Sequence, residues 1–180
     1  MRDHAKPRPF TLEELRAYLV EIFPEFWKDG DFRVEDIAPM SATVRLIHHP
    51  RRLRPGGTIS GPAMFAVCDV ALFVAIVGEI GPVVHAVTTS ASINFLRKPG
   101  PVDLIGQARL IKLGKRLAVG EVALYSEGEN EMVAHATGTY SIPKRGEAVP
   151  PCSARRVIVR AAPSVILKRG DWLSQPQSDS

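Results

Sequence analysis

Cysteine is scarce in this chain, with two among 180 residues. Cys68 lies in an apolar run and Cys152 in a Pro-flanked stretch. That placement argues against a disulfide framework, and no paired Cys/His spacing offers a zinc site, so no metal is expected. Long apolar runs are missing too. The longest, Pro62 to Val77, contains Asp69 and is shorter than the roughly 20 residues that a spanning helix needs. The opening stretch, MRDHAKPRPF, lacks the apolar segment of a signal peptide. These absences predict a cytoplasmic protein with no membrane partner. Nor are basic residues interleaved with aromatics as a single-strand binder requires. The net charge of +4 is carried in part by Arg155, Arg156, Arg160, Lys168 and Arg169. An excess of that size suits an anionic small molecule better than nucleic acid.

What is present is an ordinary globular balance, 45% apolar and 23% charged, enough for one domain with a full core. Thr11 to Phe23 reads as a helix: Thr11 and Glu14 form a capping box, Leu12, Leu15, Leu19 and Ile22 make an apolar stripe, and Pro24 ends it. Ser41 to His48 alternates as a half-buried strand, and Pro50 to Gly57 reads as a loop. Ser60 is placed to cap a helix reaching Glu79, with Pro62 in its first turn. From Ala63 to Val77 that helix is apolar on every face except at Asp69, the pattern of a helix wholly enclosed by protein. Four strands follow, Val83 to Arg97, Val102 to Leu113, Arg116 to Ser126 and Met132 to Ile142, joined in part by tight turns at Gly114-Lys115 and Glu127 to Glu131. Long strands joined this way imply an antiparallel sheet. The expected architecture is α+β, one curved antiparallel sheet wrapped around a central buried helix. Residues 1–30 form a helical segment, 31–143 the main domain and 144–180 a C-terminal extension with a loose polar end.

Asp69 is the first candidate for chemistry. A carboxylate in an apolar helix is costly unless paired or hydrogen-bonded, and both a structural and a catalytic Asp satisfy that condition. The helix start is the second, because free backbone N–H groups there can hold an anion or a developing oxyanion, and Gly61 allows close approach. Gly61 and Asp69 are eight residues apart, about 12 Å along one helix. A single site using both therefore needs two chains packed antiparallel. The histidines are weaker candidates: His48 and His49 end a strand, while His85 and His135 lie within strands with no carboxylate beside them in sequence.

Ser60-Gly61-Pro62, the Asp69 that follows eight residues after Gly61, Ile93-Asn94-Phe95-Leu96-Arg97 with Pro99-Gly100, and Gly138-Thr139-Tyr140 together resemble the PaaI-like hotdog-fold acyl-CoA thioesterases. The resemblance covers about Ser41 to Pro143. An alternative register through Gly56-Gly57 places Met64 at the acid position, where it cannot do the chemistry. The departures are Ser60 for the family's His, Pro62 for its second Gly, and no amide side chain between Ala42 and Gly61, where Arg52 and Arg54 stand nearest.

The resemblance implies a hotdog fold and hydrolysis of an acyl-CoA thioester to free acid and coenzyme A. Gly61 N–H would polarise the carbonyl, and the partner chain's Asp69 would be base or nucleophile. Thr89, with Thr88 and Ser90 adjacent, would orient Asp69 or the water. Ser60, Phe65 and Phe73 would line the substrate site, with Leu72 near the acyl slot. Arg54, Arg97 and Lys98 are the favoured cations for coenzyme A phosphates, with Arg51, Arg52, Lys115 and Arg116 further candidates. No cofactor is implied beyond the coenzyme A of the substrate, and the expected assembly is a homodimer or homotetramer. The departures keep open a non-catalytic module that binds an acyl-CoA or an aromatic ligand. A hotdog dehydratase is disfavoured, because the helix carries no His.

Overall fold

The computed structural model describes residues 10–27, 29–82 and 86–143. The expected 144–180 extension, Cys152, His85 and the start of the strand expected from Val83 lie outside these residues.

Helix α1 (Leu12–Ile22) begins at the capping box. Glu14 N–H donates to Thr11 Oγ1 at 3.2 Å, and Thr11 N–H donates to Glu14 Oε2 at 2.8 Å. The stripe read from its spacing buries Leu15 and Leu19 completely, each contributing about 1.5–3 kcal/mol. Arg16 ties the helix to the sheet by donating to Val34 O at 2.6 Å. Pro24 does more than stop α1. It starts the four-residue helix α2 (Pro24–Trp27), where its missing N–H costs nothing.

Strands β1 (Phe32–Ala38) and β2 (Ser41–Leu46) precede a small hairpin of β3 (Leu53–Arg54) and β4 (Thr58–Ile59). The stretch expected to be loop, Pro50 to Gly57, thus holds a 3-10 turn, Pro50–Arg52, and the first strand and turn of this hairpin. Arg51 and Arg52 there are ion-paired with Asp31. Helix α3 (Gly61–Ile80) follows, then β5 (Val87–Phe95), β6 (Leu104–Leu113), β7 (Leu117–Ser126) and β8 (Met132–Ser141). Six strands form one antiparallel sheet in the order β1-β2-β6-β7-β8-β5. Helix α1 and this sheet fall in one compact unit.

Small residues on the inner face of the sheet let α3 settle against it. Ala42, Ala108, Val122, Ala136 and Ile93 form one cross-strand row. In the next layer Gly120 faces Gly138 across β7 and β8. A Cβ on Gly120 would stand 2.6 Å from Leu72 Cδ2, and one on Gly138 would stand 2.7 Å from Leu72 Cδ1. The two glycines are a slot for Leu72, which is buried there.

Two expectations for the central helix are corrected. The helix is 20 residues long, so its length and hydropathy alone would also suit a membrane crossing. What fixes it as a core helix is its packing on the sheet, which buries Met64, Val67, Cys68, Ala71, Leu72, Val74 and Ala75. Nor is it wholly enclosed. Pro62 and Phe65 are exposed, and Ala66, Asp69, Val70 and Phe73 are only half-buried. The sheet covers one side of α3, and α1 reaches its C-terminal end, where a Cβ on Gly78 would stand 4.0 Å from Leu15 Cδ2. Among the described residues the face that carries Phe65, Asp69 and Phe73 is left at least partly open.

Candidate active site

Asp69 sits on the open face of α3, one turn from Phe65 on one side and from Phe73 on the other. Its surroundings come from the far end of the sheet. Thr88 Oγ1 donates to Asp69 Oδ1 at 2.7 Å. Tyr140 OH lies 2.6 Å from the same Oδ1 and 2.8 Å from the Asp69 backbone oxygen. Burial, and then the bond to Asp69, push the Tyr140 phenol far above its ordinary range, so the hydroxyl stays a donor. Burial, and then the Asp69 carboxylate, push the Cys68 thiol up to about 12. Cys68 is therefore an inert core residue, not a nucleophile.

The structure corrects the expected role of Thr89. Its hydroxyl donates to Thr139 O at 3.1 Å and does not reach Asp69. The cause is a bulge. Thr88 pairs with Tyr140 and Ser90 with Thr139, leaving Thr89 as the extra residue of β5. The bulge reverses the alternation and turns Thr88, not Thr89, toward the helix. In the sequence Tyr140 stands out only as part of Gly138-Thr139-Tyr140, and no local signal ties it to Asp69.

The helix start forms a second cluster. Ser60 precedes α3 as its cap residue but makes no side-chain cap bond. The first helical bond runs from Met64 N–H to Ser60 O at 3.1 Å. Pro62 has no N–H, so Gly61 and Ala63 present the open donors of the first turn, with no acceptor among the described residues. The Phe95 ring covers this turn, and a Cβ on Gly61 would stand 3.3 Å from its Cζ. Gly61 and Asp69 belong to separate clusters within one chain, as their helical spacing requires.

The remaining candidates lie on the surface. Arg54 Nε donates to Thr58 Oγ1 at 2.8 Å. Arg97 Nε pairs with Glu131 at 2.9 Å. Lys98 is exposed and has no ion-pair partner among the described residues. Phe65 is exposed, while Phe73 packs partly on the core. His135 does have a carboxylate nearby, from the next strand: its Nε2 is 3.3 Å from Glu121 Oε2. Glu121 is also held by Arg109, and these bonds, Arg109's first, keep its carboxyl below the usual range. That network lies on the sheet face turned away from α3, apart from Asp69. No cluster of His, Cys, Asp and Glu able to hold a metal ion occurs among the described residues.

One antiparallel sheet of six strands packed on one long helix is the architecture of the hotdog class. The description of the thioesterase superfamily matches residues 56–133. A solved structure named "putative thioesterase", from Silicibacter sp. TM1040, is 46% identical with a TM-score of 0.69, covering 78% of this chain and 96% of its own. The phenylacetic acid degradation protein PaaI of Thermus thermophilus, solved as a mutant, is 28% identical with a TM-score of 0.58, covering 66% of this chain and 99% of its own. Among curated proteins, one named "putative esterase" from Thermoplasma acidophilum is 26% identical over 117 residues, 65% of this chain and 87% of its own. The chain belongs to the thioesterase superfamily, as a PaaI-like hotdog protein.

Proposed function

We propose that the protein hydrolyses an acyl-CoA thioester to the free acid and coenzyme A. The observation that carries this reading is the Asp69 carboxylate, held by the Thr88 and Tyr140 hydroxyls on the open face of α3 between Phe65 and Phe73. In this reading the acyl group lies along that apolar face. The thioester carbonyl accepts from Gly61 N–H of one protomer, and Asp69 of its partner acts as base toward water or as nucleophile. The exposed cations Arg54, Arg97 and Lys98 have the chemistry that coenzyme A phosphates require. No metal or added cofactor takes part.

The two-chain site requires at least a homodimer. Two features support one. The outer edge of β5 has no strand partner among the described residues, and Val87, Phe95 and Leu96 there are about half exposed, at 55%, 54% and 50%. Bare edges and apolar patches of this kind call for cover.

Pro62 and the absent amide side chain favour a second reading, an acyl-CoA or aromatic-ligand binding module. A panel of acyl-CoA esters with thiol detection separates the two. Thiol release that falls at least ~10²-fold in Asp69→Asn supports hydrolysis. Saturable binding without thiol release supports the module. Light scattering that found only a 19.7 kDa monomer would remove the two-chain site.

A further inference from the structure

We propose that Tyr140 is a positioning residue that, with Thr88, anchors Oδ1 of Asp69 and so reserves Oδ2 for the water or thioester. This rests on the hydrolytic reading of the Asp69 site and assigns the carboxylate's two oxygens separate tasks. Both hydroxyl donors converge on Oδ1, at 2.7 Å and 2.6 Å. No donor among the described residues reaches Oδ2.

A carboxylate free to rotate presents either oxygen and spends time in unproductive orientations. Two donors on one oxygen stop that rotation. Tyr140 adds a second restraint, because its hydroxyl also lies 2.8 Å from the backbone oxygen of Asp69. A phenol has one proton to donate. The two acceptors at 2.6 Å and 2.8 Å both belong to Asp69, so donation to either ties the side chain to its own turn of helix. The post itself is rigid. Tyr140 is 3% exposed and carried by an interior strand paired on both sides. Thr88 is its direct cross-strand partner, so one pair of residues supplies both donors. Deep burial also keeps the phenol protonated, so the anchor persists through alkaline conditions in which an exposed tyrosine would ionise.

The test is a double-mutant cycle in the full-length chain, with thiol release from an acyl-CoA substrate as the readout. Tyr140→Phe keeps the ring and removes the anchor. The expected result is a fall in kcat of about 10- to 100-fold, the scale of a hydrogen bond to a charged group, with KM changed by less than about twofold. In an Asp69→Asn background the same change should cost nothing further, because Tyr140 acts through that carboxylate. Losses that multiply in the double variant would overturn the proposal, as would a wild-type kcat or a change confined to KM in Tyr140→Phe. Should the phenylalanine variant not fold, a fluorinated tyrosine at 140 keeps the shape and alters only the donor, and an unchanged kcat there also overturns the proposal. Full activity in Asp69→Asn, or no thiol release by the wild type, defeats the hydrolytic reading itself and removes Tyr140's role with it. An inactive Asp69→Asn beside a fully active Tyr140→Phe defeats only the anchor.

Discussion

Thr88 and Tyr140 stand opposite each other across β5 and β8, and both hydroxyls donate to the same oxygen of Asp69. The neighbouring Thr89 is the bulged residue and spends its hydroxyl on Thr139 O. Two adjacent threonines therefore have different duties. Thr88→Val should lower kcat about 10- to 100-fold, by removing a hydrogen bond to a charged group, and Thr88→Ser should restore it. Thr89→Val removes a bond to a neutral backbone oxygen and should leave kcat within about threefold, equivalent to less than about 1 kcal/mol. Steady-state kinetics on the three variants check this, and equal losses at both threonines would contradict the bulged geometry.

The slot for Leu72 predicts an asymmetry between its two glycines. At Gly120 a Cβ would meet not only Leu72 but also the backbone oxygen of Arg109, at 2.9 Å. At Gly138 the close atom is a leucine methyl, and the next is Ser90 O at 3.6 Å. Side chains shift more cheaply than strand backbone. Both Gly→Ala changes should destabilise by about 1–3 kcal/mol, the usual cost of overpacking, with Gly120→Ala the worse. Urea unfolding of the two variants measures the order, and the reverse order would mean that Leu72, not the strand, resists movement.

Much of this fold was legible in the sequence because its signals are local. The Thr11/Glu14 capping box, the α1 stripe and the alternation of β6, β7 and β8 are each fixed by residues a few positions apart. The site was legible only in part. Period-two reading from Ile93 and Ala91 points Thr89 inward, and nothing local announces the bulge that substitutes Thr88. Tyr140 meets Asp69 across 71 positions, and His135 meets Glu121 across 14, so both contacts need the strand register first. The open face of α3 was hidden for another reason. An all-round apolar helix has the same composition whether its own chain covers every face or leaves one for a ligand or a second protomer.

Cys68 carries a pH prediction. Its thiol ionises near 9.0 when unfolded and near 12 when folded, chiefly because burial, and then Asp69, disfavour the thiolate. The folded state therefore holds its proton more tightly than the unfolded state. The associated stability is fully present below about 9 and is lost as pH rises toward about 12. Tyr140, raised from 10.0, acts in the same direction. Cys68→Ala should flatten the fall in melting temperature over this window without abolishing it. In a Cys152→Ser background a thiol reagent at pH about 8 should label Cys68 only on unfolding, as expected of a buried, protonated thiol. Rapid labelling of the folded protein would contradict the burial.

The oxyanion role of Gly61 can be separated from the space it occupies. Gly61→Ala keeps the N–H and adds a methyl 3.3 Å from Phe95 Cζ. Phe95 is 54% exposed, so its ring can yield, and stability should change by no more than about 0.5 kcal/mol. Gly61→Pro removes the N–H at the first helical position, where proline's fixed φ suits a helix start, and Ser60, with ψ 151, already has the extended backbone of a residue before proline. The new residue itself precedes Pro62 within the helix, so the variant's rate is compared only when its circular dichroism spectrum matches that of the wild type. If that N–H holds the developing oxyanion, Gly61→Pro should lower kcat about 10²- to 10³-fold, the cost of one lost oxyanion donor. Gly61→Ala should then stay within about tenfold of wild type, since it retains the donor. Acyl-CoA affinity should be similar in both variants, because in the ground state the neutral carbonyl draws little on the N–H. Equal kinetic losses in the two variants would locate the effect in crowding against Phe95, and the donor would then have to be sought at Ala63, whose N–H is the other one left open by the first turn.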